Sequence, residues 1–255
     1  MKQDCSVPWI ETPLVRSTAL SKAAGCNILL KLENLQPSGS FKCRGIGNFV
    51  LQKLARLRAQ TGPSAATRAH FYISSGGNAG LACVHAAARL GCRATVVVPL
   101  STSPAMVGRL REAGADDGLD EQGMRRTQVI AVETDGADSL SQAAARERLV
   151  TLPAITSLCT SLGARRVCPK ALECALRSTV STVVLSDVDA LDGCRRLADE
   201  ERFLVEPSCG VVAAMCYDQR LAKLVKGFGE DSVVVLVVCG GSNVSLDMLQ
   251  GKIQT

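Results

Sequence analysis

His70-Phe71-Tyr72-Ile73-Ser74-Ser75-Gly76-Gly77-Asn78-Ala79-Gly80-Leu81-Ala82-Cys83-Val84-His85-Ala86-Ala87-Ala88 passes from a short apolar run, through paired glycines, into a stretch whose apolar positions Leu81, Val84 and Ala88 recur at helical spacing. That order predicts strand, turn and helix. Working outward, further strand candidates are Ile28 to Leu32, Ala94 to Val98, Gln128 to Glu133, Thr182 to Leu185 and Ser232 to Cys239. Ile46, Phe49, Val50, Leu54 and Leu57 share one face of a helix before His70, with Lys53, Arg56 and Arg58 toward solvent. Ser103 and Pro104 open another helix, which Gly114 ends. The polar stretch Asp116 to Thr127 reads as a loop, and Cys209 to about Leu224 as a helix after the turn at Glu206, Pro207 and Ser208. Short β-branched runs alternating with helical segments mark parallel strands joined by crossover helices, an α/β fold.

The 255 residues are 47% hydrophobic and 21% charged, enough for one large core or two modest ones, and no internal repeat is visible. Twelve cysteines are scattered from Cys5 to Cys239 with no CxxC pair and only two histidines, which argues against a zinc site or a disulfide framework. Free, mostly buried thiols in a reducing compartment are expected, and the cytoplasm is the expected location. A net charge of +5 from dispersed basic residues, with 3% aromatics, disfavours nucleic acid. No apolar run approaches the roughly 20 residues of a membrane span.

Three segments carry chemistry. Pro37-Ser38-Gly39-Ser40-Phe41-Lys42-Cys43-Arg44-Gly45 places a lysine at a helix start after a glycine turn. Shielded from water near helix N–H groups, such an amine is a nucleophile; otherwise it is an exposed lysine. In Ser74 to Gly80 the glycines and the following helix start suit either an anion, carboxylate or phosphate, or close packing alone. Cys239-Gly240-Gly241-Ser242-Asn243 follows a buried strand, so Cys239 either points from a strand's carboxyl end into a ligand crevice or is a core thiol.

In this order the three segments resemble the fold-type II pyridoxal-phosphate enzymes, of tryptophan synthase β-like fold, and most closely their serine/threonine dehydratase group. Thr12-Pro13-Leu14, Leu32-Glu33-Asn34-Leu35-Gln36-Pro37 and Leu204-Val205-Glu206-Pro207-Ser208-Cys209-Gly210 extend the likeness over most of the chain. The resemblance implies two domains, a large one from 1–40 and 128–255 and a small one from 41–127. It implies that Lys42 holds the aldehyde of pyridoxal 5′-phosphate and, once freed, acts as base on the substrate's α-proton. Phe41 packs beside the cofactor ring; Ser75, Gly76, Gly77 and Ala79 hold the substrate carboxylate; Asn78 bonds the 3′-oxygen; Cys239 faces the ring nitrogen. A thiol stabilises a pyridinium poorly, which favours β-elimination of serine or threonine to pyruvate or 2-oxobutanoate and ammonia. A β-replacement enzyme is disfavoured, since that branch usually presents serine where Cys239 stands. By the same analogy Glu133, Ala137, Ser139, Leu162 and Ala164 bind a monovalent cation such as potassium. Small amino acid substrates and a homodimer complete what the likeness implies.

One departure stands out. Between Ala115 and Gln128 the family carries a long block that includes a tetraglycine loop gripping the cofactor phosphate, whereas here Asp116 to Thr127 alone span it. The chain reads as internally truncated. The rival to an active lyase is therefore a non-catalytic remnant or isoform associating with full-length partners.

Overall fold

A computed structural model describes residues 7–61, 69–97 and 127–253. Its elements are β1 (Leu14–Ser17), α1 (Thr18–Ala24), β2 (Asn27–Lys31), α2 (Lys42–Thr61), β3 (His70–Ser74), α3 (Asn78–Arg89), β4 (Arg93–Val97), β5 (Val129–Thr134), α4 (Ser139–Ala145), α5 (Pro169–Ala175), β6 (Val180–Leu185), α6 (Asp187–Glu201), α7 (Pro207–Ala214), α8 (Arg220–Leu224), β7 (Val233–Val237) and α9 (Leu246–Ile253). Each of the six expected strands is present within two residues of its expected bounds. The helix at Ser103 and nearly all of the loop at Asp116 to Thr127 lie outside the described residues.

The chain divides into two compact units. One comprises Met1–Pro13, Leu32–Gln122 and Cys239–Asn243; the other comprises Leu14–Lys31, Gly123–Val238 and Val244–Thr255. In the first unit β3 and β4 pair in parallel, and Ile73, Ala79, Ala94 and Val96 pack on a buried cluster of Ile46, Ala82, Cys83 and Val84. Apolar spacing on α2 and α3 therefore does what periodicity demands: each helix turns one face to this core.

In the second unit β2 lies between antiparallel β1 and parallel β7, while β5 and β6 form a separate parallel pair. Cys159, Ala190 and Val211 are fully buried there, with Val132, Leu185 and Val212 packed against them. Ser186 and Asp189 close a capping box at the start of α6.

Three expectations need correction. Phe49 is not in the core: it is 39% exposed, with the Lys53 ammonium 5.1 Å from its ring centroid. The helix expected from Cys209 to Leu224 is two, α7 and α8, because Asp218 and Gln219 both adopt φ 56°. Tyr217 accounts for the break, since its hydroxyl donates to Glu200 at 2.8 Å and Arg196 stacks 4.0 Å from its ring, holding the chain against α6. Strand β1 is an addition to the expected set, being four residues with Leu14 and Val15 exposed and hence no alternating pattern. Among the described residues eleven cysteines are free and seven of them buried, and burial pushes the Cys194 and Cys216 thiols up to about 12. No described helix is long and apolar enough to cross a membrane.

Candidate active site

Lys42 opens α2, and the turn before it is stitched to the strand end that follows β7. Ser40 bridges Gly240, the Phe41 N–H donates to the Cys239 carbonyl at 3.2 Å, and the Gly241 N–H donates to the Gly39 carbonyl at 3.1 Å. Gly240 is required there. Its φ is +82°, and a Cβ would sit 2.3 Å from the Gly39 carbonyl oxygen and 2.8 Å from the Asn34 Cα.

The helix start is anchored a second time. The Arg44 guanidinium grips Glu33 with Nε at 2.8 Å and Nη2 at 2.9 Å, while Thr12 Oγ1 donates at 2.6 Å and Gln36 Nε2 at 3.0 Å to the same carboxylate. Burial would raise the Glu33 pKa, but the bonds from Arg44, Thr12 and Gln36 outweigh it and hold the carboxyl below its ordinary value. A depressed folded-state pKa contributes stability above the unfolded value of about 4.3, lost as pH falls through the folded value. Glu33→Gln is therefore expected to cost about 1–3 kcal/mol at pH 7, the lower part of that range if the partly exposed Arg44 rehydrates. Urea denaturation of both proteins should show the difference shrinking as pH drops below about 4. Sequence reasoning missed this clamp because Glu33 and Arg44 lie eleven positions apart, outside any helical or strand period; the only trace was Glu33 inside Leu32 to Pro37.

Asn78 is the first residue of α3 and 6% exposed. Its Oδ1 accepts the Ser242 N–H at 3.0 Å, so Nδ2 is the donor end of a fixed amide. Ser242 had no role in the sequence motif that contains it. It is the link that joins the second segment to the third. The Ser75 N–H donates to the Val97 carbonyl at 3.0 Å, and Ser75 Oγ accepts the Gly77 N–H at a long 3.3 Å. Gly77 is extended (φ −148°), and Gly76 is not among the left-handed glycines; those of this site are Gly39, Gly240 and Gly241. Ala79 packs its methyl on the core. Lys42 is half-buried with Nζ 5.0 Å from the ring centroid of Phe41, itself 43% exposed, and Cys239 is half-buried. The first unit thus brings together Phe41, Lys42, Asn78 and Cys239, with Ser75, Gly76, Gly77 and Ala79 in the loop and turn leading into α3.

The second unit gathers the other expected set. Ser139 Oγ donates to the Ala164 carbonyl at 2.6 Å, and the Ala164 N–H donates to the Leu162 carbonyl at 2.8 Å. Both Glu133 carboxylate oxygens accept N–H groups from the first turn of α4, Leu140 at 3.0 Å and Ser141 at 2.7 Å. The Ala137 N–H donates to the Thr134 carbonyl at 2.9 Å, and Ser141 Oγ is buried with no hydrogen-bond partner among the described residues.

The first unit thus holds a lysine at a helix start, an oriented amide and a strand-end thiol on an α/β frame. Residues 6–116 and 117–240 match the pyridoxal-phosphate dependent enzyme family, and the chain belongs to it. Within that family it falls in the serine/threonine dehydratase group. It is 34% identical to "Serine dehydratase-like" of Homo sapiens over 315 aligned positions, covering 94% of this chain and 93% of that one. It is 33% identical to "L-serine dehydratase/L-threonine deaminase" of Mus musculus, covering 96% and 95%. The crystal structure of a fungal L-serine ammonia-lyase from Rhizomucor miehei superposes with a TM-score of 0.84 at 26% identity, covering 98% and 99%.

The residues fit the ring end of pyridoxal phosphate. An amine suits its aldehyde, the Asn78 amide donor its phenolic oxygen, and the Ser40 hydroxyl and Asn34 Oδ1 are buried polar atoms with no partner among the described residues. For the phosphate, the sequence has no run of more than two glycines.

Proposed function

We propose that this chain is an L-serine and L-threonine ammonia-lyase, releasing ammonia and pyruvate or 2-oxobutanoate by β-elimination. The observation that carries the reading is the convergence of the Lys42 turn, Asn78 and the Cys239 strand end in one unit. When bound, pyridoxal phosphate supplies an aldehyde for the substrate amine and an electron-withdrawing ring that acidifies the α-carbon. Lys42 Nζ holds the cofactor at rest and accepts the α-proton during turnover. The Ser75 hydroxyl and the N–H groups of Gly76, Gly77 and Ala79 receive the substrate carboxylate, which displaces the long bond between Gly77 and Ser75 and gains from the α3 N-terminus. Asn78, its amide oriented by the Ser242 N–H, would donate from Nδ2 to the ring's 3′-oxygen. Cys239 would face the ring nitrogen, and its thiol, a weak acid–base partner, would favour β-elimination over chemistry that stores charge in the ring.

Glu133, Ala137, Ser139, Leu162 and Ala164 offer oxygen ligands suited to a hard monovalent cation, with potassium the proposed ion. A homodimer in a reducing cytoplasm is the proposed setting, supported by the free cysteines.

The alignment to the human relative extends over 315 positions against 255 residues here, which supports a block present in the relatives and absent from this chain. That difference, with the missing glycine run, favours a second reading in which the chain does not turn over. Ammonia and pyruvate release from L-serine, by protein supplied with pyridoxal phosphate and potassium, separates the two. In the lyase, Asn78→Ala is expected to lower kcat/KM by about 10- to 100-fold, the worth of one hydrogen bond to a charged group. No release from the unsubstituted protein would leave only membership of the family.

A further inference from the structure

The second unit contains two sheet edges that face one cavity. In β5, the Val129 N–H donates to the Thr179 carbonyl at 2.8 Å and the Asp135 N–H to the Leu185 carbonyl at 2.9 Å, so odd-numbered residues serve the β6 ladder. Ile130 and Val132 therefore direct their N–H and C=O groups to the other edge. In β7, Ser232 accepts from the Asn27 N–H and the Val238 N–H donates to Lys31, both at 2.9 Å, so even-numbered residues serve β2. Val233 and Val235 turn theirs away. Ile130, Val132, Val233 and Val235 line the same cavity of about 400 Å³, backed by Val212 and Met215. Val233 is 64% and Val235 51% exposed.

Such edges have one good occupant. A small apolar ligand or a lipid chain covers the valines but leaves the outward peptide groups of Ile130, Val132, Val233 and Val235 without a partner among the described residues, whereas an extended peptide satisfies them. Gln128 already shows the pattern at one end of the cavity, its side-chain amide donating to and accepting from the Lys226 backbone at 3.3 Å each way. The chain's own approach to Gln128 is a poor candidate for that strand, since Asp116 to Arg126 carries six charges and no β-branched residue. The human relative, by contrast, aligns over 315 positions where this chain has 255 residues. We propose that the cavity between β5 and β7 seats one extended, apolar strand supplied in trans by a longer member of the same family. Its occupancy is independent of whether elimination proceeds at Lys42.

The test uses the full chain and overlapping peptides of about ten residues, longer than an ordinary strand, covering the human serine dehydratase-like sequence. Neighbouring peptides from the stretch without a counterpart here should raise the thermal midpoint by roughly 5 °C or more at saturation. Val233→Lys puts a charge on an already exposed edge position, and Val132→Pro removes an outward N–H without touching the β6 ladder. Each should weaken binding by about tenfold or more, with circular dichroism confirming that at least the lysine variant keeps its fold. The proposal is overturned if no peptide shifts the midpoint, or if the active peptides match segments this chain already has. It also falls if both variants bind as well as the unsubstituted protein.

Discussion

Lys42→Ala is expected to lower ammonia release from L-serine by at least about a thousandfold, and borohydride followed by peptide mapping should find the pyridoxyl group on Lys42 of the unsubstituted protein alone. The size follows from two losses at one atom. General-base catalysis contributes about 10²–10⁴-fold by itself, and in the proposed lyase the same amine would also be the covalent hold on the cofactor, in a sequence with no run of more than two glycines to grip its phosphate. Unfolding does not explain such a loss. The contact between Lys42 Nζ and the Phe41 ring, 5.0 Å from its centroid, is worth about 0.5–1 kcal/mol at a partly exposed site. The far-ultraviolet spectrum and thermal midpoint of Lys42→Ala should therefore stay close to those of the parent. Lys42→Arg keeps the charge over the ring but cannot give up a proton, so it should be as inactive as alanine. A pyridoxyl group on another lysine, with turnover surviving in Lys42→Ala, would remove the catalytic proposal.

The strands were legible because burial and backbone period leave a mark on composition: Gln128 to Glu133 and Ser232 to Cys239 read as strands, and the structure has them at Val129–Thr134 and Val233–Val237. Local punctuation was legible at Gly77 before α3, whereas Pro207, read as part of a turn before a helix from Cys209, is itself the first residue of α7. What escaped was set by partners distant in sequence. Arg44 meets Glu33, Ser242 meets Asn78, and Tyr217 meets Glu200 and Arg196, and none of these pairings has a period. Phe49 shows the converse: it obeys the helical spacing, yet it stays 39% exposed on α2. At the site itself the residue types were readable, while the fixed direction of the Asn78 amide was not, because it depends on an N–H 164 positions away.

Gly240→Ala and Gly227→Ala should separate backbone strain from crowding at the seam that carries Lys42. Both glycines are left-handed, with φ +82° and +70°, so each alanine bears the same conformational cost of about 1–2 kcal/mol. Around Gly227 an added Cβ meets nothing within 4 Å, and the loss should end there. At Gly240 the Cβ would lie 2.3 Å from the Gly39 carbonyl oxygen and 2.8 Å from the Asn34 Cα, both backbone atoms that cannot swing aside. Forcing them apart adds about 1–3 kcal/mol, for a total near 2–5 kcal/mol. For a chain of this size the thermal midpoint should fall by roughly 4–20 °C in Gly240→Ala and by about 2–8 °C in Gly227→Ala. The functional consequence is larger than the thermal one. The atoms displaced belong to the seam where Ser40 bridges Gly240 and the Phe41 N–H meets the Cys239 carbonyl, so parting them moves the Lys42 amine away from the Cys239 strand end. Pyridoxal phosphate titrated by absorbance should bind Gly240→Ala at least about tenfold more weakly, a penalty of one positional ångström at a preorganised site, and bind Gly227→Ala as it binds the parent. Equal cofactor affinity in the two variants would show that this seam does not position the lysine.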